Sequence, residues 1–249
     1  MNIQRFDVNC FLGKWPDGGP TLDGATALLG AMDRLGIARA LVRHSLGWHD
    51  VPPLGNSVLM AEITGHEGRL FPCWAALPPA TGEMGSMEQW LAALIRSGVR
   101  AVCLYPTTHG YPLTAWQCDD LLGPLAERRY VLLLELTEVQ WESLHWLCAT
   151  YKELRVVVLN TYYRVLRPLY ALLDAHPNLY VDSSTLCGFR AIEDLCGRFG
   201  AERLLFGTGQ PRADGAGAVA MLNYASLDEA QIRAVSAGNL ERLLEEVQL

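Results

Sequence analysis

Several signals that would settle the function of a 249-residue chain are missing from this one. No run of like charge extends beyond a pair such as Glu245-Glu246, and the formal charge of −7 leaves no clustered Lys and Arg. Counterion release from a nucleic acid or an anionic membrane needs such clusters, so neither is expected as a partner. No apolar run reaches the 18 residues that would span a bilayer, and the first residues lead into a strand-like segment without an apolar signal region. The sequence is therefore read as cytosolic. The seven cysteines form no Cys-x-x-Cys pair. Most lie in apolar runs, where Cys serves as a small buried hydrophobe. A Gly-x-Gly-x-x-Gly after the first strand is absent, which argues against a dinucleotide site, and so is the Gly-x-Ser-x-Gly of a serine-hydrolase elbow.

What is present is a strict alternation of short apolar strands with amphipathic helices. Strands are expected at Gln4 to Asn9, Ala38 to Arg43, Leu70 to Ala76, Val99 to Leu104, Tyr130 to Leu136, Arg155 to Asn160, Asn178 to Ser183 and Arg203 to Gly207. Between them, helical periodicity runs over Leu22 to Leu35, Leu54 to Thr64, Met87 to Ser97, Ala115 to Arg128, Val139 to Tyr151, Leu166 to Ala175 and Ala191 to Phe199. Eight such units in one chain of this length predict a single-domain (β/α)8 barrel (a TIM barrel) rather than an open doubly wound sheet. Long Gly- and Pro-rich connections follow the first four strands, so the functional mouth is expected at their C-terminal ends.

Five segments in register resemble one family. They are Asp7-Val8-Asn9-Cys10-Phe11-Leu12-Gly13, Gly98 to Val102, His176-Pro177-Asn178-Leu179-Tyr180-Val181-Asp182, Arg203 to Pro211, and Gly238-Asn239-Leu240-Glu241-Arg242-Leu243-Leu244. Together they resemble the amidohydrolase-related proteins, single barrels that include decarboxylases and lactonases, over nearly the whole chain. The resemblance implies metal ligands at two first-strand histidines, at the ends of strands five and six, and at an Asp on strand eight. Those positions read Asn9, Phe11, Glu135, Asn160 and Gly209 here. Phe cannot coordinate and Gly has no side chain, so no metal and no other cofactor is expected.

A polar set remains at the predicted mouth. Glu135, after four apolar residues, reads as a general base or as one half of an ion pair with an Arg. His109, on the loop after strand four, could relay a proton; His44 and His49, after strand two, are comparable candidates. Asn9 and Asn160 could bind a substrate carbonyl or bond each other across the vacated cavity. Arg43 and Arg164 could clamp a carboxylate, and Trp74 and Tyr105 are read as pocket aromatics among several near the strand ends. The expected activity is metal-independent hydrolysis of a small cyclic amide, lactone or related carbonyl compound, with Glu135 and His109 as catalytic groups. Two alternatives stand beside it: a decarboxylase on the same barrel, and a catalytically silent barrel that binds a metabolite or a partner. The high apolar content also favours a homodimer.

Overall fold

A computed structural model describes residues 3–249. Eight parallel strands pair in sequence order: β1 (Phe6–Leu12), β2 (Arg39–His44), β3 (Leu70–Ala75), β4 (Ala101–Leu104), β5 (Val131–Glu135), β6 (Arg155–Leu159), β7 (Leu179–Asp182) and β8 (Leu204–Leu205). The backbone beyond β8 returns to β1 and closes the cylinder. Val8 N–H donates to the Phe206 carbonyl at 2.9 Å, Gly209 N–H to that of Asn9 at 3.0 Å, and Phe11 N–H to that of Gln210 at 2.9 Å. The expected (β/α)8 barrel is the observed architecture.

The strands are nearly continuous apolar runs because each has two buried faces, one toward the barrel axis and one toward the helices. Val131 to Leu134 of β5 are all fully buried. The outer layer comprises α1 (Gly24–Leu35), α3 (Pro52–Ile63), α4 (Met87–Arg96), α5 (Ala115–Glu127), α6 (Trp141–Thr150), α7 (Leu166–Ala175) and α8 (Ala191–Phe199). In α4 the start is fixed by a reciprocal cap: Gln89 N–H donates to Ser86 Oγ at 3.2 Å, and Ser86 N–H donates to the Gln89 side chain at 3.4 Å. Trp90 and Leu94, four apart, then face the core.

The periodicity reading misses α2 (Ser45–His49), a single turn inside the connection after β2, and the C-terminal helices α9 (Ala216–Tyr224), α10 (Glu229–Arg233) and α11 (Asn239–Glu245). The turn of α2 is held by tertiary contact. A Cβ on Gly55 of α3 would lie 2.6 Å from Gly47 Cα, so the two backbones touch and Gly55 has no room for a side chain, while a Cβ on Gly47 would press on the Ala75 methyl of β3 at 3.0 Å. This contact presents Trp48 and His49 to the mouth. Six of the seven cysteines are buried as expected, and only Cys187 is exposed. No helix among the described residues is long and apolar enough to cross a membrane.

Candidate active site

The strand ends at the C-terminal mouth converge on a cavity of about 440 Å³. Its floor holds Asn9 (β1), Glu135 (the last residue of β5), Asn160 (just past β6) and Gly209 (past β8). Phe11, Trp15, Trp48 and His49 form an aromatic wall, and Asp17 and Arg212 stand at the rim. Inward alternation along β1 brings Asn9 and Phe11 to the same cavity. Asn160 has a φ of 58°, a left-handed conformation that Asn tolerates better than most side chains. It is held there by a bond from its own N–H to Asp182 Oδ1 at 2.9 Å.

The floor is a closed hydrogen-bond network with a guanidinium at its centre. Arg43, 1% exposed at the end of β2, donates through Nη1 to Glu135 Oε1 at 2.6 Å and through Nη2 to Asn9 Oδ1. The other Glu135 oxygen accepts from Asn160 Nδ2 at 2.6 Å. Asn9 Nδ2 donates to Asn160 Oδ1 at 3.1 Å, to Asp182 Oδ2 at 2.9 Å and to Ser184 Oγ at 3.2 Å. Ser184 Oγ in turn donates to Asp182 Oδ2 at 2.5 Å. Burial pushes the Asp182 carboxyl up to about 6, against the opposing pull of the Ser184, Asn9 and Asn160 donors. The guanidinium carbon of Arg43 lies 3.9 Å from the centre of the Phe11 ring. That ring lines the cavity, and Arg43 does not.

A divalent ion does not fit this donor set. The Asn9 and Glu135 oxygens that would coordinate it accept from Arg43, Phe11 presents a hydrocarbon ring, and Gly209 presents no side chain. Among the described residues no three His, Cys, Asp or Glu side chains cluster as a metal site.

The structure joins four of the residues singled out from sequence, Asn9, Arg43, Glu135 and Asn160, in one network. Of the two uses considered for Glu135, the ion pair is present; of those for the asparagines, the mutual bond is present. Arg43 clamps a carboxylate, but that of its own chain. Of the remaining candidates His49 reaches the cavity, and the others lie elsewhere. His109 stands one layer behind the wall: its Nε2 contacts the Trp48 carbonyl at 3.0 Å and its ring meets Tyr105 edge-on. His44 turns away from the cavity, accepts the Leu46 N–H at 3.2 Å through Nδ1 and faces Glu62 at 3.7 Å, because it caps α2. Tyr105 packs its ring against Trp48 at 4.7 Å, with its hydroxyl 3.5 Å from Arg43 Nη1, and so supports the wall from behind. Trp74 is half-buried against the core and is not a lining residue. Arg164 is exposed, with its guanidinium on Tyr163 of its own loop.

The wall contains residues that sequence reasoning did not rank for this role. Trp48 stacks on Phe11, His49 and Tyr105, with centroids 5.6, 5.0 and 4.7 Å away. Its indole N–H is fixed by the buried Glu138 at 3.0 Å, which also accepts from Thr108 N–H at 2.9 Å and from the Thr108 hydroxyl at 2.6 Å. One carboxylate thus ties together the connections after β2, β4 and β5. His49 is the histidine that reaches the cavity, and burial pushes its imidazole below the ordinary value despite the pull of Glu138 and Asp17. Trp15 lines the cavity with an indole N–H that has no partner in the protein. The adjacent Trp48-His49 pair in a long connection was the available sequence signal. Phe11 carried none, since its role depends on Arg43 crossing from β2.

No protein-family model matches the sequence, and no curated protein matches it. Solved structures do. An uncharacterized TIM-barrel protein from Bordetella bronchiseptica is 15% identical, covers 98% of this chain and 99% of its own, and superposes with a TM-score of 0.77. The 2,6-dihydroxybenzoate decarboxylase from Rhizobium is 14% identical with the same coverage of each chain, 98% and 99%, and a TM-score of 0.76. A provisionally assigned 2-pyrone-4,6-dicarboxylic acid hydrolase from Pseudomonas putida is 18% identical over 100% of both chains, with a TM-score of 0.72. These likenesses establish the fold, a single (β/α)8 barrel.

Proposed function

We propose that the chain is a metal-independent hydrolase of the amidohydrolase type, acting on a small planar cyclic amide, lactone or related carbonyl compound. The observation that carries this reading is the cavity itself: aromatic walls over a carboxylate floor, with one unpartnered buried donor, Trp15 Nε1. A flat ring can lie on the wall where Trp15 and Trp48 meet edge to face, their centroids 5.7 Å apart, and its carbonyl oxygen would accept from the buried Trp15 N–H once that indole turns into the cavity. Glu135 lines the floor, and an ionised carboxylate has about four lone-pair directions, of which the protein uses two. A water placed against it can give up a proton as it attacks the carbonyl carbon. His49, whose imidazole burial pushes below its ordinary value, is a further proton acceptor lining the cavity.

A second reading is favoured by a specific observation. Both Glu135 oxygens and both Asn160 side-chain atoms already have partners, as a barrel that only binds its ligand would allow. Decarboxylation on the same scaffold is supported by the structural similarity to 2,6-dihydroxybenzoate decarboxylase.

Incubation with a panel of five- and six-membered lactones, cyclic amides and hydroxybenzoates separates these readings, with ring opening and carbon dioxide release followed independently. Ring opening that persists in chelator and falls about 100-fold or more in Glu135→Gln is the expected result. Carbon dioxide release alone would replace hydrolysis with decarboxylation. A compound that binds and is recovered intact would leave a binding protein.

A further inference from the structure

Arg43 crosses to the barrel axis from β2, and what it touches there is the set of positions to which the amidohydrolase resemblance assigns metal ligands. Asn9 accepts from Nη2, Glu135 accepts from Nη1 at 2.6 Å, Phe11 lies under the guanidinium at 3.9 Å, and Asn160 holds the far Glu135 oxygen at 2.6 Å. Four of the five positions therefore surround one planar cation directly or through a single bond. Each residue type is also what a guanidinium needs. An amide oxygen accepts from it, a carboxylate neutralises it, and an aromatic face attracts it through the ring quadrupole. Ligating histidines would offer only one lone pair each and would repel the cation when protonated. Substitutions that look like decay when read for a divalent ion are thus coherent when read for arginine.

We propose that Arg43 is a resident cation that has taken over the metal position, supplies the counter-charge of Glu135, and excludes divalent ions by holding the same oxygen lone pairs. The inference rests on the same family resemblance as the proposed function but not on turnover. Removing the side chain should expose a pocket shaped for what was lost.

In Arg43→Ala the missing atoms correspond to ethylguanidinium. The variant is expected to melt on the order of 10 °C lower, since Glu135 is left buried without its partner. Millimolar ethylguanidinium should restore the melting temperature saturably, ethylammonium at equal concentration should not, and neither should shift the unsubstituted protein. Equal effects of the two cations, or none from either, would overturn the proposal. Should the variant fail to fold, the unsubstituted protein decides the matter by calorimetric titration with Mn²⁺ and Zn²⁺. No stoichiometric binding is expected, and one ion bound per chain in a manner abolished by Glu135→Gln would overturn the inference. Neither readout uses catalysis, so an inactive protein can pass and an active one can fail.

Discussion

Asp182 shows how a single buried carboxyl can bias the molecule. Its folded value of about 6 lies above the ordinary 3.8, so between those two values the folded chain keeps a proton that the unfolded chain has released. The stabilisation is therefore full below the ordinary value, falls as pH rises through about 6, and is gone above it. A shift of this size corresponds to about 3 kcal/mol. Asp182→Asn should remove the effect: the stability of the unsubstituted protein relative to the variant should drop by up to about 3 kcal/mol from pH 4 to pH 7 in urea melts. A difference that does not change with pH would refute this assignment. At the same scale, the tie between Arg43 and Glu135 follows from chemistry legible in the sequence, since a strand-end Glu after four apolar residues needs a cationic partner or a proton. Which of the chain's arginines would provide it was not legible, because Arg43 and Glu135 are 92 residues apart.

The elements are locked by buried amides that lie in the very segments carrying the family resemblance. Asn178, ahead of β7, donates to the carbonyls of Cys148, Tyr151 and Leu154 at 3.2, 3.0 and 3.3 Å, which fixes the end of α6. Asn239, at the start of α11, donates to those of Ala201 and Leu204, both at 2.8 Å, and so pins the last helix to β8. Asn239→Ala should cost roughly 2–4 kcal/mol, because two buried carbonyls lose their donor. Asn239→Asp should not rescue it, because an ionised carboxylate only accepts. Urea denaturation of both variants measures this. Gly55 acts on the site through α2. In Gly55→Ala the added methyl must push α2 away, so the variant should bind cavity ligands more weakly and show altered Trp48 fluorescence. An unchanged affinity would mean that α2 is not held by this contact.

For the whole molecule, the mouth sets the response to acid. Burial pushes the imidazoles of His44, His49 and His109 below their ordinary value. In the window below pH 6.5 the unfolded chain binds protons that the fold refuses, so this part of the stability is present above 6.5 and lost as pH falls. It opposes the trend from Asp182, and the two partly cancel where their pH windows overlap. Proton NMR of the three imidazoles in the native state should show each titrating below 6.5; a midpoint above that for any of them would contradict the burial argument.

The sequence by itself determined the barrel. Eight apolar runs alternating with amphipathic helices can bury both faces of a parallel sheet in few other ways, and period and spacing are local properties that a chain displays along its length. It also determined that Asn9, Glu135 and Asn160 would meet, since each ends a strand and all strand ends share one rim. Only the tertiary structure decided that Arg43 would fill the centre, that Phe11 would cover it, and that Trp15, Trp48 and His49 rather than Trp74, Tyr105 and His109 would line the cavity. Those outcomes depend on the aim of side chains across the barrel and on one close contact between two glycines. Pairings between residues tens of positions apart leave no periodic trace in the chain that makes them.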